Sequence, residues 1–287
     1  MKTINTTEIT SATELYAVIG SPIKHSRSPE IHNPLYDEMG LDRCYLAFHI
    51  KPEDLAATIP FLRTNLKGFN ITIPHKEAII PFLDELEPRA AVCGAVNTVK
   101  IEDGKLKGYN TDGYGFVMGF TEAGIDVRGK KTLILGTGGA SRVVAYELLA
   151  LGCEVTLTNR TYEKAVKVQS VLQAAFPDRT VRVVLTDDIK PEYELIVNTT
   201  SVGMSPGEDV SPIGEDIIAG ASILYDIVYT PPETAFLRIG KACGCQTVNG
   251  ASMLFYQGIR SQEIWMDMPI SEELRAPVYR KYQGKKE

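Results

Sequence analysis

Short apolar runs recur along the chain, each followed by a longer stretch in which apolar positions return at helical spacing. Runs that stay apolar at successive positions mark strands buried on both faces. Their alternation with helices marks α/β architecture with largely parallel sheets. In the first third the strands read as Leu15–Ile19, Tyr45–Ile50 and Gly68–Ile73, with Thr72 inside the last and Pro74 stopping it. Ser28 and Pro29 offer an N-cap and a first-turn proline for a helix to about Met39. Pro52 opens another, with Leu55, Ile59 and Leu62 among its apolar positions. Val96–Ile101 and Leu106–Tyr109 flank Asp103-Gly104, a hairpin turn. Asn110-Thr-Asp-Gly-Tyr-Gly115 then leads into an apolar helix to about Ala123.

From Lys130 the pattern is that of a dinucleotide-binding unit. Thr132–Leu135 is a buried strand, Gly136-Thr-Gly-Gly-Ala-Ser141 a tight turn, and Arg142–Leu151 an apolar helix. Glycines allow close backbone approach to a pyrophosphate, and the helix start supplies unpaired N–H groups and a favourable dipole. Ser141 stands where a third Gly or Ala is usual, so the glycines alone say little. A second strand, Glu154–Thr158, ends in Asn159-Arg160-Thr161. This is about 20 residues past the glycines, where an acid would bind the ribose of NAD. Taken alone the tripeptide is a polar loop; after a glycine turn at this spacing it reads better as a 2′-phosphate site. A helix over Tyr162–Ala175 follows, with strands at Val181–Leu185, Leu195–Asn198, Ser222–Asp226 and Gln246–Val248. Gly203–Gly207 is expected to be a mobile loop. Helices over Ala251–Trp265 and from about Ser271 close the chain.

A chain of 287 residues is long enough for two domains, each with its own core. A net charge of −6 provides no basic field, which argues against nucleic acid and anionic membrane as partners. No apolar run approaches the ~20 residues of a membrane span. Met1–Glu14 is Thr-rich and polar, without the pattern of a secretory signal. The five cysteines are odd in number and scattered, and Cys243 and Cys245 lack a second pair at zinc spacing. The expectation is a cytoplasmic protein with no metal.

Three polar clusters interrupt apolar surroundings in the first third. His25-Ser26-Arg27-Ser28 precedes a helix, and its hydroxyls suit either a carboxylate ligand or a helix cap. Asn70-Ile-Thr-Ile-Pro-His-Lys76 places Lys76 past a strand's carboxyl end, where open α/β sheets bind ligands; a loop lysine is otherwise a solvated charge. Asp112, in Gly108-Tyr-Asn-Thr-Asp-Gly113, is either a cap or a ligand-facing carboxylate, with Gly113 leaving room for a ligand.

Taken together, G-S-P-I-x-H-S-x-S-P, N-I-T-I-P-H-K, G-A-V-N-T, N-T-D-G, G-T-G-G-A-S, N-R-T and Y-x-P-P-E-T run in order from Gly20 toward Gln257. This ordered set resembles the shikimate/quinate dehydrogenase family. The resemblance implies an α/β substrate domain (residues 1–112 plus 250–287) and a Rossmann-type NADP domain (113–249), separated by an active-site cleft. It implies reversible NADPH-dependent reduction of 3-dehydroshikimate to shikimate, with Lys76 and Asp112 as the catalytic pair. Ser26 and Ser28 match the carboxylate hydroxyls, Thr72, Asn97 and Gln257 the ring-hydroxyl binders, and Tyr229 a tyrosine near the carboxylate. Gly136, Thr137, Gly138, Gly139, Ala140, Ser141, Asn159, Arg160, Thr161, Lys164, Thr200, Ile227 and Gly250 match the cofactor site. Lys164 stands where many members carry arginine, and lysine lacks a bidentate fork. The implied assembly is a monomer or homodimer. Two rivals remain: a quinate or dual-specificity enzyme, and a silent ligand sensor of the same fold. Quinate needs room for an extra hydroxyl, and the two serines fill that corner; an intact Lys76 and Asp112 is more than a sensor requires.

Overall fold

The computed structural model describes residues 9–207 and 209–284. It divides into two compact units, one running to Thr111 and resuming at Gln257, the other spanning Asp112–Tyr256. Most of the polar run Met1–Glu14 lies outside the described residues.

In the first unit β1 (Glu14–Gly20), α1 (Pro29–Met39), β2 (Arg43–His49), α2 (Leu55–Asn65) and β3 (Gly68–Ile71) alternate. The short α3 (His75–Ala78), β4 (Glu85–Leu86) and α4 (Pro88–Cys93) follow, then β5 (Thr98–Glu102) and β6 (Lys105–Tyr109). Among the described residues the strand order is β2-β1-β3-β5-β6-β4. β1 lies parallel to β2 and β3, but β3–β5 and β5–β6 are antiparallel. This sheet is therefore mixed, with β4 again parallel to β6; the two-residue connection between β5 and β6 can join only antiparallel strands. Asp103 and Gly104 both take positive φ, 51° and 73°, as that turn requires. Along β1, Ala17 and Ile19 face a core with Leu62, Phe69 and Ile71, whereas Tyr16 and Val18 face Tyr36, Tyr45 and Trp265. β3 ends at Ile71, so Thr72 stands beyond the strand and not inside it. Pro74 has no N–H to continue a ladder, and Ile73 is 74% exposed.

The second unit runs α5 (Asp112–Ala123), β7 (Lys131–Leu135), α6 (Gly139–Ala150), β8 (Glu154–Thr158), α7 (Tyr162–Ala175), β9 (Val181–Val183) and β10 (Leu195–Asn198). It continues through α8 (Glu215–Ile218), β11 (Ile223–Asp226), α9 (Ala235–Ala242) and β12 (Gln246–Asn249). Every pairing is parallel, in the order β12-β11-β10-β7-β8-β9. That order reverses direction between β7 and β10, the switch point of a doubly wound sheet. Leu133 and Leu135 enter one core with Phe236 and Leu237, while Ile134 enters another with Phe116, Val144 and Leu148. Burial on both faces is what makes β7 continuously apolar. The sequence pattern did not reveal α9; Thr234 caps it by accepting from the Leu237 N–H.

The chain re-enters the first unit inside α10 (Ala251–Met266) and ends, among the described residues, in α11 (Glu272–Gly284). The boundary expected at 250 thus lies at Gln257. Met253 belongs to the core of Phe116, Tyr225 and Val248, and a Cβ on Gly250 would fall 2.0 Å from the Ile227 carbonyl oxygen, so 250–256 pack with the second unit. Asp112 likewise opens the second unit instead of closing the first. Among the described residues no helix is long and apolar enough to cross a membrane. No disulfide joins the five cysteines.

Candidate active site

In the first unit, residues far apart in sequence meet through one buried hydrogen-bond network. Asn97, just before β5, donates from Nδ2 to Thr111 Oγ1 (2.9 Å) and to Gln257 Oε1 (3.3 Å). Its Oδ1 accepts from the Thr111 N–H at 2.8 Å. Asn70 of β3 donates to the Asn97 carbonyl (3.1 Å), Thr98 Oγ1 (2.9 Å) and Ser261 Oγ (2.9 Å), and accepts from Tyr45 OH at 2.7 Å. Ser261 donates back to the Gln257 carbonyl, 2.9 Å. All of these side chains are buried, so each unmade bond would leave a desolvated polar group.

Ser28 is 6% exposed and holds the N-cap position, yet its side chain does not cap α1. Its backbone is already helical, which turns the hydroxyl from the first N–H groups toward the Tyr45 phenol. Ser26, half-buried, accepts from the Ser28 N–H at 3.4 Å. Thr72 and Lys76 are half-buried beyond the end of β3. A Cβ on Gly20 would lie 2.5 Å from Thr72 Cγ2, so glycine there admits the threonine. His75 anchors the lysine turn: its Nε2–H donates to the Ile50 carbonyl at 2.6 Å, and the Lys76 carbonyl accepts from the Val96 N–H at 2.8 Å.

The second unit offers a different surface. Asp112 is the first residue of α5 and only 6% exposed. The space beside Gly113 is not open to a ligand: a Cβ there would fall 2.3 Å from Glu147 Oε1, so this glycine serves the packing of α5 on α6. Gly136 has φ 103°, which demands glycine. Gly138, preceding α6, meets nothing within 4 Å of an added Cβ, leaving its backbone approachable. Thr137 belongs to the same turn, and Gly139 opens α6, with Ala140 as its second residue. Ser141 faces inward. Thr199 donates its hydroxyl to the Leu135 carbonyl (2.6 Å), so Ser141 donates to Thr199 Oγ1, 2.6 Å away. Only its main chain can serve a ligand.

At the end of β8, Asn159 Nδ2 donates to the Thr161 carbonyl at 3.0 Å and shapes the turn. Arg160, Thr161 and Lys164 are exposed, and Thr161 makes no side-chain cap to α7. Thr200 donates to Asn198 Oδ1 at 2.7 Å; Tyr229 and Ile227 are half-buried, and Gly250 passes against Ile227. Among the described residues no group of three or more His, Cys, Asp or Glu is placed to hold a metal ion. An anionic dinucleotide fits this loop: a glycine-lined helix start for the pyrophosphate, and exposed cations where the adenosine ribose would end. The pattern of motifs had missed Tyr45, Ser261 and the hub role of Asn70. A tyrosine and an asparagine within otherwise apolar strands were the signal available.

The chain matches the shikimate dehydrogenase substrate binding domain over residues 18–99 and shikimate / quinate 5-dehydrogenase over residues 121–202. It is 44% identical over 283 residues to the shikimate dehydrogenase (NADP(+)) of Moorella thermoacetica, covering 96% of each. A crystal structure of a shikimate dehydrogenase in complex with NADP+ is 36% identical, with a TM-score of 0.88 over 98% of both chains. The Thermus thermophilus shikimate 5-dehydrogenase, solved with NADP(H) and shikimate, is 33% identical with a TM-score of 0.84, covering 94% of this chain and 99% of that one.

Proposed function

We propose that this chain, which belongs to the shikimate/quinate dehydrogenase family, catalyses the reversible NADPH-dependent reduction of 3-dehydroshikimate to shikimate. The observation that carries this reading is the buried network joining Asn97 to Gln257 across 160 positions of sequence, a set of fixed donors and acceptors suited to a polyhydroxylated ring. A site built to pair hydroxyls rejects ligands that leave its polar groups unmatched. Ser26 and Ser28 hold the carboxylate, and Thr72, Asn97 and Gln257 the ring hydroxyls. Tyr229 joins the carboxylate end.

NADP, when bound, supplies or accepts the hydride. The backbone from Gly136 to Ser141 receives its pyrophosphate, Thr200, Ile227 and Gly250 border the nicotinamide, and Asn159, Arg160, Thr161 and Lys164 receive the 2′-phosphate. Oxidation of a secondary alcohol also requires loss of the hydroxyl proton. Lys76 and Asp112 share that proton, holding the oxygen in line for transfer and returning the proton in the reverse direction. The two serines crowd the position of quinate's extra hydroxyl, which favours shikimate. The protein acts as a monomer or homodimer in the cytoplasm; five free cysteines support the compartment.

The test is an assay of cofactor reduction with shikimate and NADP beside quinate and NAD. The expected order puts shikimate with NADP first; turnover of quinate alone, or none with either substrate, overturns the reading.

A further inference from the structure

The mechanism leaves the buried carboxyl group of Asp226 unused. Asp226 ends β11 and Asn198 ends β10; the two are register partners, and both are fully buried. Asn198 donates from Nδ2 to Asp226 Oδ1 (3.0 Å) and to the Val202 carbonyl (3.2 Å). Its Oδ1 accepts from the Thr200 N–H (3.1 Å) and hydroxyl (2.7 Å), and its own carbonyl accepts from the Ile227 N–H (3.0 Å). Asp226 Oδ1 also accepts from the Val228 N–H at 3.0 Å, and Oδ2 from the Thr234 hydroxyl at 2.7 Å.

These bonds reach into two separate loops. One follows β10 and carries Thr200; the other follows β11, carries Ile227 and Tyr229, and ends at the Thr234 cap of α9. No cation partners the carboxylate among these contacts, and burial pushes its pKa up to about 6. An apolar pair would fill a sheet core at lower desolvation cost. What an apolar pair cannot do is hold main-chain groups of two loops in register.

We propose that Asn198 and Asp226 are positioning residues, a buried pair that fixes the loops presenting Thr200 and Ile227 to the cofactor and Tyr229 to the substrate carboxylate. The proposal rests on the functional reading above for the roles of those three residues.

The test compares Asp226→Ala, Asp226→Asn and Thr234→Val in the intact chain, with KM for NADP and for shikimate, kcat, NADP binding by calorimetry and thermal unfolding. Wild-type turnover checks the functional reading; NADP binding checks positioning without needing turnover, so the two can fail separately. Asp226→Ala is expected to weaken NADP binding and raise both KM values by roughly tenfold or more. Asp226→Asn keeps the Oδ1 acceptor for Asn198 and Val228, and its Nδ2 donates to the Thr234 hydroxyl where the carboxylate accepted from it, so both KM values should stay within about threefold of wild type. Thr234→Val keeps the shape and removes one donor on the Tyr229 side, so it should raise KM for shikimate more than KM for NADP. If Asp226→Ala does not fold, Thr234→Val decides. The proposal is overturned if folded Asp226→Ala or Thr234→Val binds and turns over like wild type, or if Asp226→Asn is as damaging as Asp226→Ala.

Discussion

The two units prepare recognition in opposite ways. In the first, two of the groups assigned to substrate, Asn97 and Gln257, are side chains locked into a buried network in which Asn70 alone makes three donations and one acceptance. In the second, the groups assigned to phosphate are approachable main chain at Gly138 and exposed side chains at Arg160 and Lys164. A polyhydroxylated ring is told from its isomers by donors and acceptors that cannot relax. A phosphate is recognised by charge and by N–H groups that a helix start supplies in any case. Recognition is therefore coupled to stability in the first unit, and recognition of the phosphates is nearly separate from it in the second.

The sharpest test bears on the two residues assigned to chemistry. Lys76→Ala should lower kcat by roughly 10²–10⁴-fold, the usual worth of positioned proton transfer, with a much smaller change in KM for shikimate. Asp112→Asn keeps the shape, removes the charge and should also act on kcat. Steady-state kinetics with kcat near wild type for Lys76→Ala would end the proposed mechanism.

Asn70→Ala probes the coupling in the first unit. It removes the acceptor of Tyr45 OH and a donor to Thr98 and Ser261, and should cost about 2–4 kcal/mol of stability along with shikimate affinity. Chemical denaturation and KM measured on the same sample would expose any separation of the two losses, which would break the comparison. Arg160→Ala is the counterpart. Losing a charge-assisted bond should raise KM for NADP roughly ten- to a hundredfold, leaving KM for NAD and thermal stability almost unchanged. Equal loss for both cofactors would mean that Arg160 does not read the phosphate.

The units should also respond oppositely to acid. His32, fully buried in the first unit, has its pKa pushed down by desolvation to about 3 from 6.5. The unfolded chain takes up this proton first, so stability is lost as pH falls below 6.5, by about 2 kcal/mol at pH 5. Asp226, in the second unit, is raised by desolvation from 3.8 to about 6. Here the folded state holds the proton longer, so stability falls as pH rises from about 4 to 6, by up to about 3 kcal/mol. Thermal unfolding from pH 4 to 8 should show His32→Gln flattening the acid loss and Asp226→Asn flattening the opposing slope. Unchanged slopes in both variants would refute the assignment.

The smallest expected effect is local. Gly203–Gly207 is held by a Ser205 N–H bond to the Thr230 carbonyl at 2.9 Å and otherwise by its own turns, with Met204 exposed. Amide exchange here should slow on adding NADP. Equal exchange with and without cofactor would make it a passive loop.

Much of this was legible because it is local. The apolar run of β7, the Gly136–Ser141 turn, the Asp103-Gly104 hairpin and the Pro29 helix start each express a backbone rule acting within a few residues. The ordered motifs pointed to the family for the same reason: each is a short stretch whose chemistry can be read in place.

Other features depended on what the chain meets elsewhere. Gly113 looked like room for a ligand until Glu147 was found filling that space. Ser28 looked like a cap until its backbone turned helical, and residues 250–256 looked like part of the returning domain until Met253 joined the other core. The sequence by itself determined most of the strands and helices, where the glycine turn lies and which charges follow β8, since propensity, periodicity and turn chemistry act over short range. Only the tertiary structure decided which polar groups are neighbours: Asn70 with Ser261, Asn97 with Gln257, Asn198 with Asp226. Those bonds span distances along the chain over which no local rule operates, and burial, which gives them their worth, exists only once the sheets have closed over them.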